Sequence, residues 1–257
     1  MKGLNKYISN NNNNNNNNIH ETLDQRTSSQ VDIIYTDFEK AFDKVDHNKL
    51  LLKMDQLGFS DNLLKLLGSY LWQRKQYVVF RGTRSKLFDS TSGVPQGSIL
   101  GPYLFLLYMI DIQTRLQNSY CLLYADDIKI FKEINSERDR DLLQSDLNRL
   151  VEWSVSNSLP LNVKKCKSMS FTRKKQKILT EYHIRGVTLE SLDQARDLGI
   201  LFRADLSFNY HLHATLCKAK RNLGTLIRNS KSFKDMNTLR TLYFALVRSH
   251  LDYGNII

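Results

Sequence analysis

The amino-acid sequence predicts an α+β fold, a ferredoxin-like split sheet in the order strand, helix, strand, strand, helix, strand. Helices cover one face of the sheet and a helical segment follows it. Three observations carry this reading. Short β-branched and aromatic runs occur near residues 31–35, 121–124, 128–131 and 167–171. Apolar residues recur at helical spacing after a capping acid at Asp46 and over 141–157. Glycine and proline separate these runs, most densely at residues 93–102.

The first ordered element expected is a strand through Val31, Ile33, Ile34 and Tyr35, ending at Asp37. Asp46 then caps a helix with Leu50, Leu51, Met54 and Leu57 on one side, closed by Gly58. A second helix starts at Asp61 and carries Leu63, Leu64, Leu67 and Leu71. Residues 77–80 and 86–88, on either side of Gly82, read as a hairpin. The loop at 93–102 leads into an apolar helix over 103–116. Residues 121–124 and 128–131 form a tight hairpin with acids at its tip. An amphipathic helix over 141–157 shows Leu143, Leu147, Leu150 and Val151 on one face, and Pro160 stops it. The strand at 167–171 completes the sheet. Short strands near Tyr182, Leu189 and 198–202 and helices over 211–228 and 236–249 complete the reading.

A chain of 257 residues fits one large domain or two small ones, and its 41% hydrophobic content is that of a globular protein. The run of nine asparagines at 10–18 has nothing to bury, so residues 1–30 read as a disordered, low-complexity tail. The charge is uneven. Residues 1–160 hold 19 Lys+Arg and 19 Asp+Glu, whereas 161–257 hold 18 and 7, which is the whole formal excess of +11. A polyanion such as nucleic acid is the partner this end suggests, with a solvated basic surface as the simpler explanation. The cysteines Cys121, Cys166 and Cys217 are too far apart for a CxxC pair, which argues against a disulfide framework or zinc knuckle and for a reducing compartment. The longest apolar stretch, 99–110, is too short to span a bilayer, and the first ten residues are no signal peptide.

Three segments carry chemistry. Asp126 and Asp127 lie between two strands; with 19 aspartates in the chain an Asp-Asp pair alone means little, but adjacent carboxylates repel unless a cation neutralises them. Hard oxygen donors favour Mg²⁺ or Mn²⁺. Asp37 ends the first strand, which in a split sheet neighbours that hairpin. Three carboxylates at one point suit two metal ions for in-line phosphoryl transfer, although Asp37 alone also reads as an ordinary strand-end acid. The loop GVPQGSILGP at 93–102 holds three glycines and two prolines, lets backbone approach a ligand closely, and feeds a helix N-terminus that favours phosphate.

Together, YTDFEKAFDKVDH at 35–47, GVPQGSILGP at 93–102 and YADD at 124–127 resemble the palm motifs of the reverse transcriptases of non-LTR (LINE-type) retrotransposons, most closely the jockey-like elements. LNVKKCK at 161–167 is similar to the fourth palm motif, LGI at 198–200 to the primer grip, and LDYG at 251–254 to the thumb region. The resemblance implies a right-hand polymerase palm over 31–175, primer-grip-like strands over 176–205 and a partial helical thumb over 206–257, with the fingers largely missing. It implies RNA-directed DNA polymerisation, transferring a nucleotide from a dNTP to a primer 3′-hydroxyl on an RNA template, with two Mg²⁺ (or Mn²⁺) ions as cofactors. Asp37, Asp126 and Asp127 match the catalytic, metal-binding carboxylates, and the backbone carbonyl of Phe38 faces a metal. Phe42 matches the steric gate against the ribose 2′-hydroxyl; without the resemblance it reads as a core phenylalanine on the helix after Asp37. Gln96 and Gly97 match the loop beside the incoming nucleotide. Lys165 falls at the fourth-motif lysine, placed to donate a proton or charge to the leaving pyrophosphate.

Arg173, Lys174, Lys175, Lys218, Lys220 and Arg221 are the basic residues expected to hold template and primer. The implied setting is intracellular, in cytoplasm and nucleus, with no membrane and no assigned protein partner. The sequence departs from the pattern in places. Ile110 stands where the family usually has Asn, only 36 residues precede Asp37, and no endonuclease region accompanies the motifs. These features read as a fragment of a longer transposon polyprotein. The alternative reading is a truncated, inactive remnant that binds nucleic acid alone.

Overall fold

The computed structural model describes residues 29–174 and 176–254. The expected low-complexity tail, except for its last two residues, and Lys175 lie outside the described residues. The chain divides into two compact units, one containing residues up to 170 and 174–191, the other 171–173 and 192 onward. The segment 176–205 is therefore shared between them at Ser191.

The first unit is built on a sheet in the order β11-β8-β1-β7-β6. These strands are β1 (Gln30–Thr36), β6 (Tyr120–Tyr124), β7 (Asp127–Glu133), β8 (Lys167–Thr172) and β11 (Glu190–Leu192). β1 does not pair with β6, the next strand of this sheet along the chain, but with β7, which is antiparallel to both. The order β8-β1-β7-β6 is the split sheet the sequence predicts. Val31, Asp32, Ile34 and Thr36 of β1 are all buried, so its run reads as a covered strand rather than strict alternation.

The helices follow the capping logic with shifted ends. Asp46 accepts the Lys49 amide at 3.1 Å and starts α1 (His47–Gln56), and Gly58 leaves it with φ +82°. α2 (Asp61–Leu71) follows as expected. α3 is Leu100–Met109, with a separate 3-10 turn at Gln113–Arg115, and not one helix over 103–116. Pro102 sits inside its first turn, where a missing amide N–H costs nothing. At its other end the Lys53 ammonium donates to the Tyr108 carbonyl and to the Asp111 carboxylate, both at 2.6 Å.

α4 (Glu137–Ser156) begins four residues earlier than the apolar stripe implies. Its cap is Ser136, which exchanges hydrogen bonds with Asp139. Leu143, Leu147 and Leu150 reach the core with Ile34, Phe105, Tyr108, Ile128 and Ile130. Asp146 lies on the same helix with no exposed surface. Burial pushes its carboxyl up, but the Ser119 hydroxyl, the Asn118 and Gln117 amides and Arg149 outweigh that and hold it below the usual carboxylate range.

The expected hairpin between 77–80 and 86–88 is instead two nested ladders. β3 (Val79–Phe80) pairs with β4 (Thr83–Arg84) across Arg81-Gly82, and β2 (Arg74–Gln76) pairs with β5 (Phe88–Ser90). The strands are short and lack a buried face, so turn geometry rather than hydrophobic pattern sets their register.

In the first unit, β9 (His183–Ile184) and β10 (Val187–Thr188) make a small hairpin. The second unit holds the hairpin of β12 (Gln194–Asp197) and β13 (Ile200–Arg203) and helix α5 (Asn209–Asn229). The final helix expected over 236–249 is broken into α6 (Met236–Tyr243), a π-turn at Phe244–Arg248 and α7 (Ser249–Asp252). Phe171, Phe202 and Phe208 meet edge to face in this unit. The Tyr253 hydroxyl donates to the Leu198 carbonyl, and a Cβ on Gly199 would lie 3.1 Å from its ring. The separated segments at 198–200 and 251–254 thus meet.

Candidate active site

β1 ends at Thr36, whose register partner on β7 is Ile128, so Asp37 and Asp127 are each one residue beyond that pair. Tyr124 pairs with Asp127, which leaves only Ala125 and Asp126 in the turn. Of the two acids expected at the hairpin tip, Asp126 is in the turn and Asp127 opens β7. Ala125 takes the positive φ (53°) that such a two-residue turn requires.

On its other side Asp37 is clamped by the segment before β8. Its carbonyl accepts the Asn162 amide at 2.8 Å, Glu39 donates to the Pro160 carbonyl at 2.9 Å, and Phe38 bridges Leu161. Backbone groups alternate in direction along an extended strand. With Asp37 and Glu39 engaged by residues 160–162, the carbonyl of Phe38 faces away from that segment. The Phe38 side chain is buried near Trp153, with ring centroids 6.3 Å apart.

The backbone thus brings Asp37 to the hairpin that carries Asp126 and Asp127. Among the described residues no three His, Cys, Asp or Glu groups gather as a metal-holding cluster. The Asp37 carboxylate pairs instead with the Lys165 ammonium at 3.2 Å. Like charges repel and the ammonium is an opposite charge within reach. The donor types remain those that Mg²⁺ or Mn²⁺ accepts, carboxylate and carbonyl oxygens on adjacent strand ends.

Phe42 lies in a 3-10 turn, Ala41–Asp43, and not on a helix. Its half-buried ring stacks on Phe105 at a centroid distance of 4.4 Å. The glycine-rich loop is pinned to this turn. Gly93 donates to the Val45 carbonyl and Val94 to the Phe42 carbonyl, each at 2.8 Å, and the Gln96 amide donates to the Asp43 carboxylate at 2.9 Å. Gly93 has φ +81°, and a Cβ there would lie 2.7 Å from the Asp43 carbonyl oxygen. His47 and Arg74 converge on the Gly93 carbonyl at 2.8 and 2.7 Å. Sequence reasoning assigned no role to Asp43, His47 or Arg74. Asp43 and His47 lie inside the first motif, but only the folded chain puts them against a loop some fifty residues away. Gly97 is exposed, with φ +79° and open space around it.

The basic residues fall in both units. Arg173 belongs to the second unit and Lys174 to the first, while Lys218, Lys220 and Arg221 are exposed on α5. Lys175 lies outside the described residues.

A model of the family described as "Reverse transcriptase (RNA-dependent DNA polymerase)" matches residues 1–202. The chain belongs to the reverse transcriptase family. Among curated reverse transcriptase relatives, the "RNA-directed DNA polymerase from mobile element jockey" of Drosophila funebris is 32% identical over 186 residues, covering 69% of this chain and 20% of that protein. The "Probable RNA-directed DNA polymerase from transposon BS" of Drosophila melanogaster is 32% identical over 235 residues, covering 86% of this chain and 26% of that protein. This reverse transcriptase chain therefore spans about a quarter or less of these relatives. The structure of apo telomerase from Candida tropicalis superposes with a TM-score of 0.59 at 13% identity, covering 98% of this chain and 48% of that one, which bears on the fold alone. No described helix is long and apolar enough to cross a membrane.

Proposed function

We propose that this reverse transcriptase chain carries the palm of an RNA-directed DNA polymerase, with residues 206–257 as part of a thumb, joining a dNTP to a primer 3′-hydroxyl on an RNA template. The observation that carries the reading is the register of β1 and β7, which sets Asp37 one residue past the Thr36–Ile128 pair and beside the Asp126–Asp127 hairpin. In the reaction the primer 3′-oxygen bonds to the α-phosphorus, the bond to pyrophosphate breaks, and the 3′-hydroxyl proton is lost to solvent. Asp37, Asp126, Asp127 and the Phe38 carbonyl would hold two divalent ions, which when bound polarise the attacking hydroxyl and neutralise the triphosphate.

The chain's own groups supply the rest. Lys165, already beside Asp37, offers positive charge or a proton to the departing pyrophosphate. The Phe42 ring, backed by Phe105, excludes a ribose 2′-hydroxyl by bulk. Gln96 and Gly97 border the nucleotide on the loop clamped by Asp43, His47 and Arg74. Arg173, Lys174, Lys175, Lys218, Lys220 and Arg221 contact template and primer phosphates.

One observation favours a second reading, a remnant that binds nucleic acid without catalysing: the Asp37 carboxylate is engaged by the Lys165 ammonium. Primer extension separates the two. The full chain with an RNA template, DNA primer, dNTPs and Mg²⁺ or Mn²⁺ is expected to lengthen the primer, and Asp126→Asn to abolish the signal. A folded chain that binds the primer–template and extends nothing would establish the second reading.

A further inference from the structure

Every residue from 75 to 89 is exposed, a ribbon of β-strand pairs with no covered face. It presents Tyr77, Val79, Phe80 and Phe88 to solvent, Phe80 at 70% of its full exposure. It also carries Lys75, Arg81, Arg84 and Lys86 against one acid, Asp89. A soluble chain rarely exposes such a patch without a partner. The cations are ordered on the rings: the Arg81 guanidinium lies 5.3 Å from the Phe80 centroid and that of Arg84 5.1 Å from Tyr77. Arg81 and Gly82 both have positive φ (49° and 80°), so an arginine holds a turn position that asparagine fills at lower cost.

We propose that this ribbon docks an unpaired polynucleotide strand, its bases stacking on Tyr77 and Phe80 and its phosphates meeting Arg81, Arg84 and Lys86. Charge complementarity selects a polyanion. The exposed rings select an unpaired one, because in a duplex the base faces are covered by their neighbours. The root of the ribbon is tied to the glycine-rich loop, since Arg74 on β2 donates to the Gly93 carbonyl and to Ser90 on β5. The ribbon is thus anchored to a loop of the candidate active site, yet docking on it requires no catalysis.

The test is fluorescence anisotropy with the full chain, a 20-nucleotide unpaired RNA, the DNA of the same sequence and an RNA–DNA duplex of the same length. Tyr77→Ser/Phe80→Ser is expected to weaken both single strands about tenfold or more. Duplex affinity is expected to stay within about twofold. Arg81→Gln/Arg84→Gln is expected to reduce the log–log salt slope for single strands by about 1.4. Circular dichroism confirms that each variant is folded; the altered side chains are exposed and support no core. The proposal is overturned if the wild-type chain ignores single strands or if the ring variant binds them as the wild type does. Equal losses on single strand and duplex overturn it as well. It also falls if the ring variant abolishes self-association in sedimentation, or binding to phosphatidylserine vesicles, without changing RNA affinity. The proposal rests on the polymerase reading only for its setting: primer extension by the wild-type chain tests that reading separately, and binding without extension leaves the ribbon proposal standing.

Discussion

Single residues carry consequences out of proportion to their size. Gly93 holds a left-handed backbone while facing the Asp43 carbonyl, so Gly93→Ala combines backbone strain with steric overlap. It is expected to cost about 3 kcal/mol, read from the urea midpoint, and to lower the extension rate. Phe42→Val removes the ring backed by Phe105. In a primer-extension assay it is expected to raise incorporation of ribonucleotides relative to deoxynucleotides, whereas a pure packing role would lower both alike. Asp146 is a structural anchor whose carboxyl is held below its ordinary value. A group with a depressed folded value contributes stability above its unfolded value, near 3.9, and loses it as pH falls through the folded one. Asp146→Ala, which orphans several partly buried donors, is expected to cost about 1–3 kcal/mol at pH 7. The gap between wild type and variant in urea melts is expected to narrow below about pH 4.

At the scale of the element, local chemistry sets where each piece starts. Asp46 caps α1 through the Lys49 amide, and Asp46→Ala is expected to cost about 1 kcal/mol, measured as a shift in the urea midpoint. The same logic explains what the apolar pattern missed. The stripe of α4 begins at Leu143, but the helix starts at Glu137 because Ser136 and Asp139 cap each other. The expected 103–116 helix stops at Met109, where Lys53, on another helix, takes the Tyr108 carbonyl. The residue 74–90 ribbon was half legible: Gly82 marked the turn, but the pairing partners were not readable in strands with no buried face.

For the whole molecule, charge position is the most telling quantity. Residues 161–257 carry the entire formal excess, and the exposed Lys218, Lys220 and Arg221 lie in that part. Nucleic-acid affinity is expected to fall steeply with salt, and Lys218→Gln/Lys220→Gln/Arg221→Gln to flatten the log–log slope by about 2–3. A salt-independent affinity in the wild type would remove these residues from the nucleic-acid surface. The sequence by itself determined the succession of strands and helices in the split sheet, because β-branched runs, caps and glycine punctuation are local signals that tertiary packing did not reverse. It also singled out Asp37, Asp126 and Asp127 as the candidate acids. Only the tertiary structure decided what surrounds them. Lys165 reaches Asp37 across 128 residues of chain, and Asp43, His47 and Arg74 converge on the glycine-rich loop. Such contacts leave no local periodicity to read, since they exist only after the sheet order has closed the chain on itself.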